Sequence, residues 1–208
     1  MSLRIPGCDT EEKVMSIEER RSIRKYTNQP VEKAVIEEVI RAAALAPSAK
    51  NRQPWKYLVY AGAEKEKLVD QMEIGLYRER EVSPILPESA FGLPDAYNTL
   101  RIMREAPMIL VVLNTNGRNP YEEIDTDHRI SEICDSLSIG ASIENLILKA
   151  TELGLGTLWI ANTFFAYPEL VEYIGTEHQL VSAIALGYPA EEPNARPRKP
   201  LEEILEFM

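Results

Sequence analysis

Between Asp127 and Leu153 the chain carries its longest helical pattern, and little of the middle of that stretch is polar. Ile130, Ile133, Cys134, Leu137, Ala141, Leu146, Leu148 and Ala150 spread around the helix instead of forming one stripe. A helix apolar on most sides needs two surfaces to cover it, so this one must run through a domain centre or along a subunit interface. Gly154 follows it, in the usual place for a glycine after a C-cap.

The other segments mix the two periodicities. Residues 1–9 read as a lead-in broken at Pro6-Gly7, after which Thr10 can cap a helix that has Glu11 and Glu12 in its first turn and Val14, Met15 and Ile17 as its stripe. Pro30 opens a second helix at Val31, which must stop before Pro47. Lys56–Ala61 alternates as a strand, and Glu64–Ile74 is amphipathic. Pro84, Pro87 and Pro94 break Glu79–Pro94 into a surface excursion, lid or plain insertion, with a helix from Asp95. Pro107–Leu113 is apolar throughout, as a buried strand would be. Strands at Gly156–Ala161 and Gln179–Leu186 flank a short helix, Pro168–Ile174, stopped by Gly175. At 208 residues with no internal repeat, one domain spanning 1–208 is expected. Its variable excursion covers about 75–105, and its extended tail about 188–208.

The formal net charge is −10. Nucleic acid requires a broad basic face, and anionic membranes repel acidic proteins, so neither is an expected partner. The longest apolar run, Met108–Leu113, is too short to span a bilayer. No leader pattern precedes the first helix, and the cytoplasm is the expected location. Cys8, Cys134, His128 and His178 fall in no metal-ligand spacing, so no metal site is expected.

Against that acidic background, Arg20-Arg21-Ser22-Ile23-Arg24-Lys25 packs four cations and a hydroxyl into six residues. Such a knot is either a solvated helix end or a seat for one small anion, since guanidinium forks match phosphate oxygens. Ala46-Pro47-Ser48-Ala49-Lys50-Asn51-Arg52-Gln53-Pro54-Trp55 is a loop of small and amide residues. It is an ordinary helix-to-strand connection, or a place where backbone approaches a flat ligand while Asn51 and Gln53 match its donors and acceptors. The Pro-rich tail carries a second basic set, Arg196, Arg198 and Lys199, ahead of an apolar-acidic end at Leu201–Met208. If both knots converge, they can hold one phosphate from two sides.

These stretches, with Leu153-Gly154-Leu155-Gly156-Thr157-Leu158-Trp159-Ile160 and Gly187-Tyr188-Pro189, resemble the nitroreductase family of FMN-dependent oxidoreductases in order and spacing. The likeness covers most of 15–208 and fades at about 75–125. It implies an α+β fold, a central, mostly antiparallel sheet flanked by helices, in an interlocked homodimer with FMN at the subunit interface. Carried over by position, Arg20, Arg21 and Ser22 would hold the FMN phosphate and ribityl region, joined by Arg196 and Arg198. Arg24 would sit near flavin N1 and the C2 carbonyl and stabilise the reduced flavin electrostatically. Pro47, Ser48, Ala49 and Asn51 would line the ring and ribityl from the partner subunit. Trp159, Ile160 and Ala161 would pass one face of the ring with a backbone amide near N5, although many relatives have glycine where Ala161 stands.

The implied reaction is ping-pong: NAD(P)H passes hydride to flavin N5, and a nitroaromatic, quinone or similar acceptor takes it up. FMN carries the chemistry, so no side chain is assigned as general acid or base. Two alternatives stand beside it. One is a reductive dehalogenase or flavin-modifying relative of the same fold, the other a non-catalytic nucleotide-binding dimer module. NADH or NADPH preference has no fingerprint of its own in the sequence.

Overall fold

A computed structural model of the protein describes residues 16–208. The expected lead-in at 1–9, the Thr10 cap and the helical positions Glu11, Glu12, Val14 and Met15 lie outside these residues, and α1 is Ser16–Glu19.

Strand β2 (Met108–Asn114) is buried along its whole length. Met108, Leu110 and Val112 enter one hydrophobic cluster, while Ile109, Val111 and Leu113 enter another. Successive strand residues point to opposite faces, so a strand apolar at every position needs helices on both sides. β4 (Gln179–Gly187) divides the same way, with Ile184 and Leu186 on one side and Ala183 and Ala185 on the other. β1 (Trp55–Ala61) and β3 (Gly156–Ile160) form the edges. The order is β1-β2-β4-β3 and every neighbouring pair is antiparallel, an α+β arrangement as expected.

α2 (Lys33–Ala44) and α5 (Thr126–Glu152) cover the first face through Ile36, Val39, Ala43, Ile139, Ile143 and Leu146. Where they cross, the buried Ser142 hydroxyl donates to the Ala43 carbonyl at 2.9 Å and lies 2.8 Å from the Tyr57 hydroxyl. Burial pushes the Tyr57 phenol up to about 12, against the lowering effect of that hydrogen bond. α3 (Gly62–Tyr77), α4 (Leu93–Glu105) and α6 (Tyr167–Ile174) cover the second face, through residues such as Leu68, Met72, Met103 and Leu170.

The structure corrects two details. α2 starts at Lys33, with Glu32 in the N-cap position, because Pro30 is followed by extended backbone. Pro94 lies in the first turn of α4 and opens that helix instead of breaking the chain; a missing N–H costs nothing there. The excursion is also tied down. Glu79, only 3% exposed, accepts hydrogen bonds from the amides of Ile85 and Leu86 and from Arg78, which in turn binds Glu169 at 2.6 Å. α5 meets its expected surroundings over half its length. Ile139–Ala150 runs along the core, whereas Ile130, Ile133 and Leu137 are exposed, Leu137 to 71%.

Among the described residues, no helix is long and apolar enough to cross a membrane.

Candidate functional site

The outer edge of β3 is partnered by the basic knot. Ser22 bridges Thr157 in parallel, and the Ile23 amide donates to the Thr157 carbonyl at 2.9 Å. Gly156 permits this approach, since a Cβ there would lie 2.7 Å from Ile23 Cγ1. The chain then turns back on itself at the far end of the sequence. Thr27 donates to the Tyr188 carbonyl and Ala190 to the Lys25 carbonyl, both at 2.9 Å. One carboxylate oxygen of Glu191 accepts from the amides of Arg24 (2.5 Å) and Lys25 (3.2 Å). This antiparallel zipper sets the direction in which residues 192–198 leave the sheet.

The result is a cleft of about 120 Å³ lined by Arg20, Arg21, Ser22, Arg24, Arg196 and Arg198, with Pro193, Asn194 and Ala195 completing it. Among the described residues, no carboxylate lines it. Of its five arginines, only Arg20 has a carboxylate partner among the described residues, Glu144 at 3.7 Å. Arg21 donates to the carbonyls of Glu18 and Arg20, Arg24 to that of Ser22, and Arg198 to those of Arg196 and Pro197. Guanidinium groups held by carbonyls keep their full charge and their remaining donors, so the cleft suits a phosphate monoester.

The loop after α2 is set apart from this cleft and lines no part of it. Lys50, Asn51 and Gln53 all have positive φ (54°, 53° and 48°) without being glycine. Left-handed backbone costs roughly 1–2 kcal/mol per ordinary residue, less for asparagine, so the turn must be held from outside. Within it, the Gln53 amide donates to Ser48 Oγ at 3.0 Å and the Gln53 side-chain amide to Asn51 Oδ1 at 3.2 Å. From α5, Ser138 Oγ accepts from the Ala49 amide at 3.1 Å, and Asp135 receives Arg52. Pro47 and Asn51 are exposed, and Ser48 and Ala49 are half-buried.

Of the third set, Trp159 is 44% exposed, and a Cβ on Gly140 of α5 would come within 3.9 Å of its ring. The Ile160 side chain belongs to the core, leaving its backbone as the part able to meet a ligand. Ala161 is exposed at the strand end. The structure thus brings the Arg20–Arg24 and Arg196–Arg198 sets together, and holds residues 47–51 and 159–161 outside their cleft. Glu191, Arg52 and Asp135 organise these parts, and none of the three belongs to a sequence motif of its own. A signal existed for Asp135, which falls on the buried helical stripe of Ile139, Ser142 and Leu146.

A family model described as the nitroreductase family matches residues 17–188. Among relatives, a protein of Archaeoglobus fulgidus carrying the name NADH dehydrogenase/NAD(P)H nitroreductase is 29% identical over 193 residues, 88% of each chain. The iodotyrosine deiodinase of Nematostella vectensis is 28% identical over 199 residues, 91% of this chain and 72% of that protein. Among solved structures, a nitroreductase of Desulfovibrio desulfuricans in complex with FMN superposes with a TM-score of 0.68 at 26% identity, covering 96% of this chain and 98% of the other.

Proposed function

The chain belongs to the nitroreductase family, and from that premise we propose that it is an FMN-dependent oxidoreductase. It would take hydride from NAD(P)H and pass it, by a ping-pong mechanism, to a nitroaromatic, quinone or similar small acceptor. The observation that carries this reading is the cleft of five arginines drawn from both ends of an acidic chain, four of them without a carboxylate partner among the described residues. The FMN complex of a family relative supports the choice of anion.

When bound, FMN supplies acceptance of hydride at N5 and its release to the acceptor. The protein's own part is to bind, orient and polarise. Arg20, Arg21, Ser22, Arg196 and Arg198 would grip the phosphate with paired N–H donors. Arg24, fixed by the Ser22 carbonyl, would hold positive charge toward the pyrimidine end, where a preorganised cation is worth most in a partly dry site. Trp159, Ile160 and Ala161 would border one face of the ring.

The arginine cleft accounts for the phosphate, and residues Pro47, Ser48, Ala49 and Asn51 of a partner copy would supply a second surface, for the ring. A homodimer would also cover Ile130, Ile133 and Leu137 on α5 and the exposed tail residues Leu201, Ile204 and Phe207. The whole chain would then act as one FMN-binding unit with its partner.

A visible absorption spectrum of the purified protein, recorded before and after anaerobic NADPH, tests the reading. Flavin bands that bleach with NADPH and return with a nitroarene or quinone are expected. A colourless protein that takes up no FMN refutes it. A second reading, reductive dehalogenation, is favoured by the match to the deiodinase over 91% of this chain. It is supported if bound flavin accepts no hydride from either nicotinamide donor yet, once reduced by dithionite, removes halide from a halogenated phenol.

A further inference from the structure

Asp135 is a carboxylate on the buried stripe of α5, 2% exposed. Its Oδ1 accepts from Arg52 Nε at 2.9 Å and Nη2 at 2.6 Å, and its Oδ2 from Asn116 Nδ2 at 3.3 Å. One turn further along the same helix, Ser138 Oγ accepts from the Ala49 amide and donates to the Cys134 carbonyl at 2.7 Å. Between these two anchors lie Lys50 and Asn51, and Gln53 follows, all three in left-handed backbone. An exposed loop would relax out of such a conformation unless something fixed it at both ends.

We propose that Arg52, Asp135 and Ser138 are positioning residues that preorganise the strained loop 48–53 for the flavin ring. This rests on the FMN reading above. The planar fork of Arg52 is locked by a nearly fully buried acceptor, so the loop's backbone amides and the Asn51 side chain are presented in one geometry before the ligand arrives. Preorganisation of this kind lowers the cost of binding. The phosphate cleft, built on β3 and the tail, shares no residue with this latch. The latch therefore acts on the ring and leaves phosphate recognition alone. A buried ion pair need not add to stability, and an apolar replacement of both partners is often neutral, so a positioning role can be separated from a stabilising one by experiment.

The experiment compares FMN and riboflavin, which lacks the phosphate, on wild type, Asp135→Asn, Arg52→Lys, Ser138→Ala and the double variant Arg52→Met/Asp135→Leu. Dissociation constants, the visible circular dichroism of bound flavin and the apoprotein melting temperature are recorded. The expected result for Asp135→Asn is a rise of about tenfold in both constants, about 1.4 kcal/mol, with the FMN-to-riboflavin ratio preserved and the flavin dichroism weakened. Arg52→Lys and Ser138→Ala shift both constants the same way by smaller factors. The double variant keeps its melting temperature and still loses affinity. Should Asp135→Asn fail to fold, Arg52→Lys and Ser138→Ala carry the comparison. Variants with altered melting temperature but unchanged constants and dichroism would overturn the inference, as would a loss confined to FMN. A wild-type protein that binds neither flavin removes the FMN reading and the inference together, whereas one that binds both, with variants indistinguishable from it, removes the inference alone.

Discussion

Replacing Gly156 by alanine puts a methyl group where β3 and the basic knot are already in contact. An ideal Cβ there lies 2.7, 2.8 and 2.9 Å from Cγ1, Cβ and Cγ2 of Ile23. Comfortable carbon contacts begin near 3.5 Å, so Ile23 must retreat by roughly 0.7 Å. Ile23 is 6% exposed and β-branched, and its own Cβ is one of the atoms struck, so no rotamer relieves the clash and the backbone has to move. Overpacking of this sort costs about 1–3 kcal/mol, and losing the Ile23–Thr157 hydrogen bond adds about 1 kcal/mol. At about 2–4 °C per kcal/mol for a chain of this size, the melting temperature falls by roughly 4–16 °C if both are lost in full. Ser22 and Arg24 flank Ile23, so the retreat also moves two lining residues of the cleft. FMN affinity then drops about tenfold for each 1.4 kcal/mol of lost contact. Thermal melts and FMN titrations of Gly156→Ala, Ile23→Ala and the double variant check this. Ile23→Ala alone costs about 2–5 kcal/mol, and the double variant should cost less than the sum of the two by about 1 kcal/mol or more. Strict additivity refutes the clash, and an unchanged FMN constant in a destabilised Gly156→Ala refutes the link from β3 packing to the cleft.

Arg24→Ala should lower the flavin's reduction potential more than Arg198→Ala, which should mainly raise the FMN dissociation constant while sparing riboflavin; potentiometry and titration with both ligands separate the two, and equal effects contradict the assignment. Burial pushes the Glu79 carboxyl up, but the amides of Ile85 and Leu86 and the Arg78 guanidinium outweigh it and hold the group below its usual 4.5. A depressed carboxyl stabilises fully above that usual value and loses its contribution as pH falls through the lower folded value. The melting temperature of the wild type should therefore fall more steeply between about pH 5 and 3 than that of Glu79→Gln, and parallel profiles would remove Glu79 as the anchor of 83–86. Leu137→Asp, on the exposed face of α5, should convert a dimer into monomers that bind flavin at least tenfold more weakly, read by light scattering and titration; a dimer that survives intact places the interface elsewhere.

The elements legible in the sequence were those whose cause is local. β2 has seven buried residues in a row, and only a strand with both faces covered can satisfy that pattern. α6 ends where Gly175 takes a left-handed conformation at φ 66°, which its lack of a Cβ permits. The start of α4 is not legible, because a proline reads as a breaker and as a first-turn residue with equal ease, and only the neighbouring Pro87–Gly92 turn selects between them. Asp135 is not legible in this way: a carboxylate among apolar helical positions looks solvated until its guanidinium partner, 83 residues earlier in the chain, is brought beside it.

By itself, the sequence determined the two basic knots, the alternation of helices and strands, and an acidic surface that leaves those arginines conspicuous. Composition and short-range periodicity are sufficient for each of these. Only the tertiary structure decided that residues 20–24 and 196–198 share one cleft, because their meeting depends on the pairing of Tyr26 with Pro189 and on the Glu191 carboxylate closing over the amides of Arg24 and Lys25. Only the tertiary structure, likewise, put Lys50, Asn51 and Gln53 into left-handed backbone. The strain of such a turn is local, while the groups that hold it belong to a helix more than eighty residues away, and no local pattern encodes a contact at that separation.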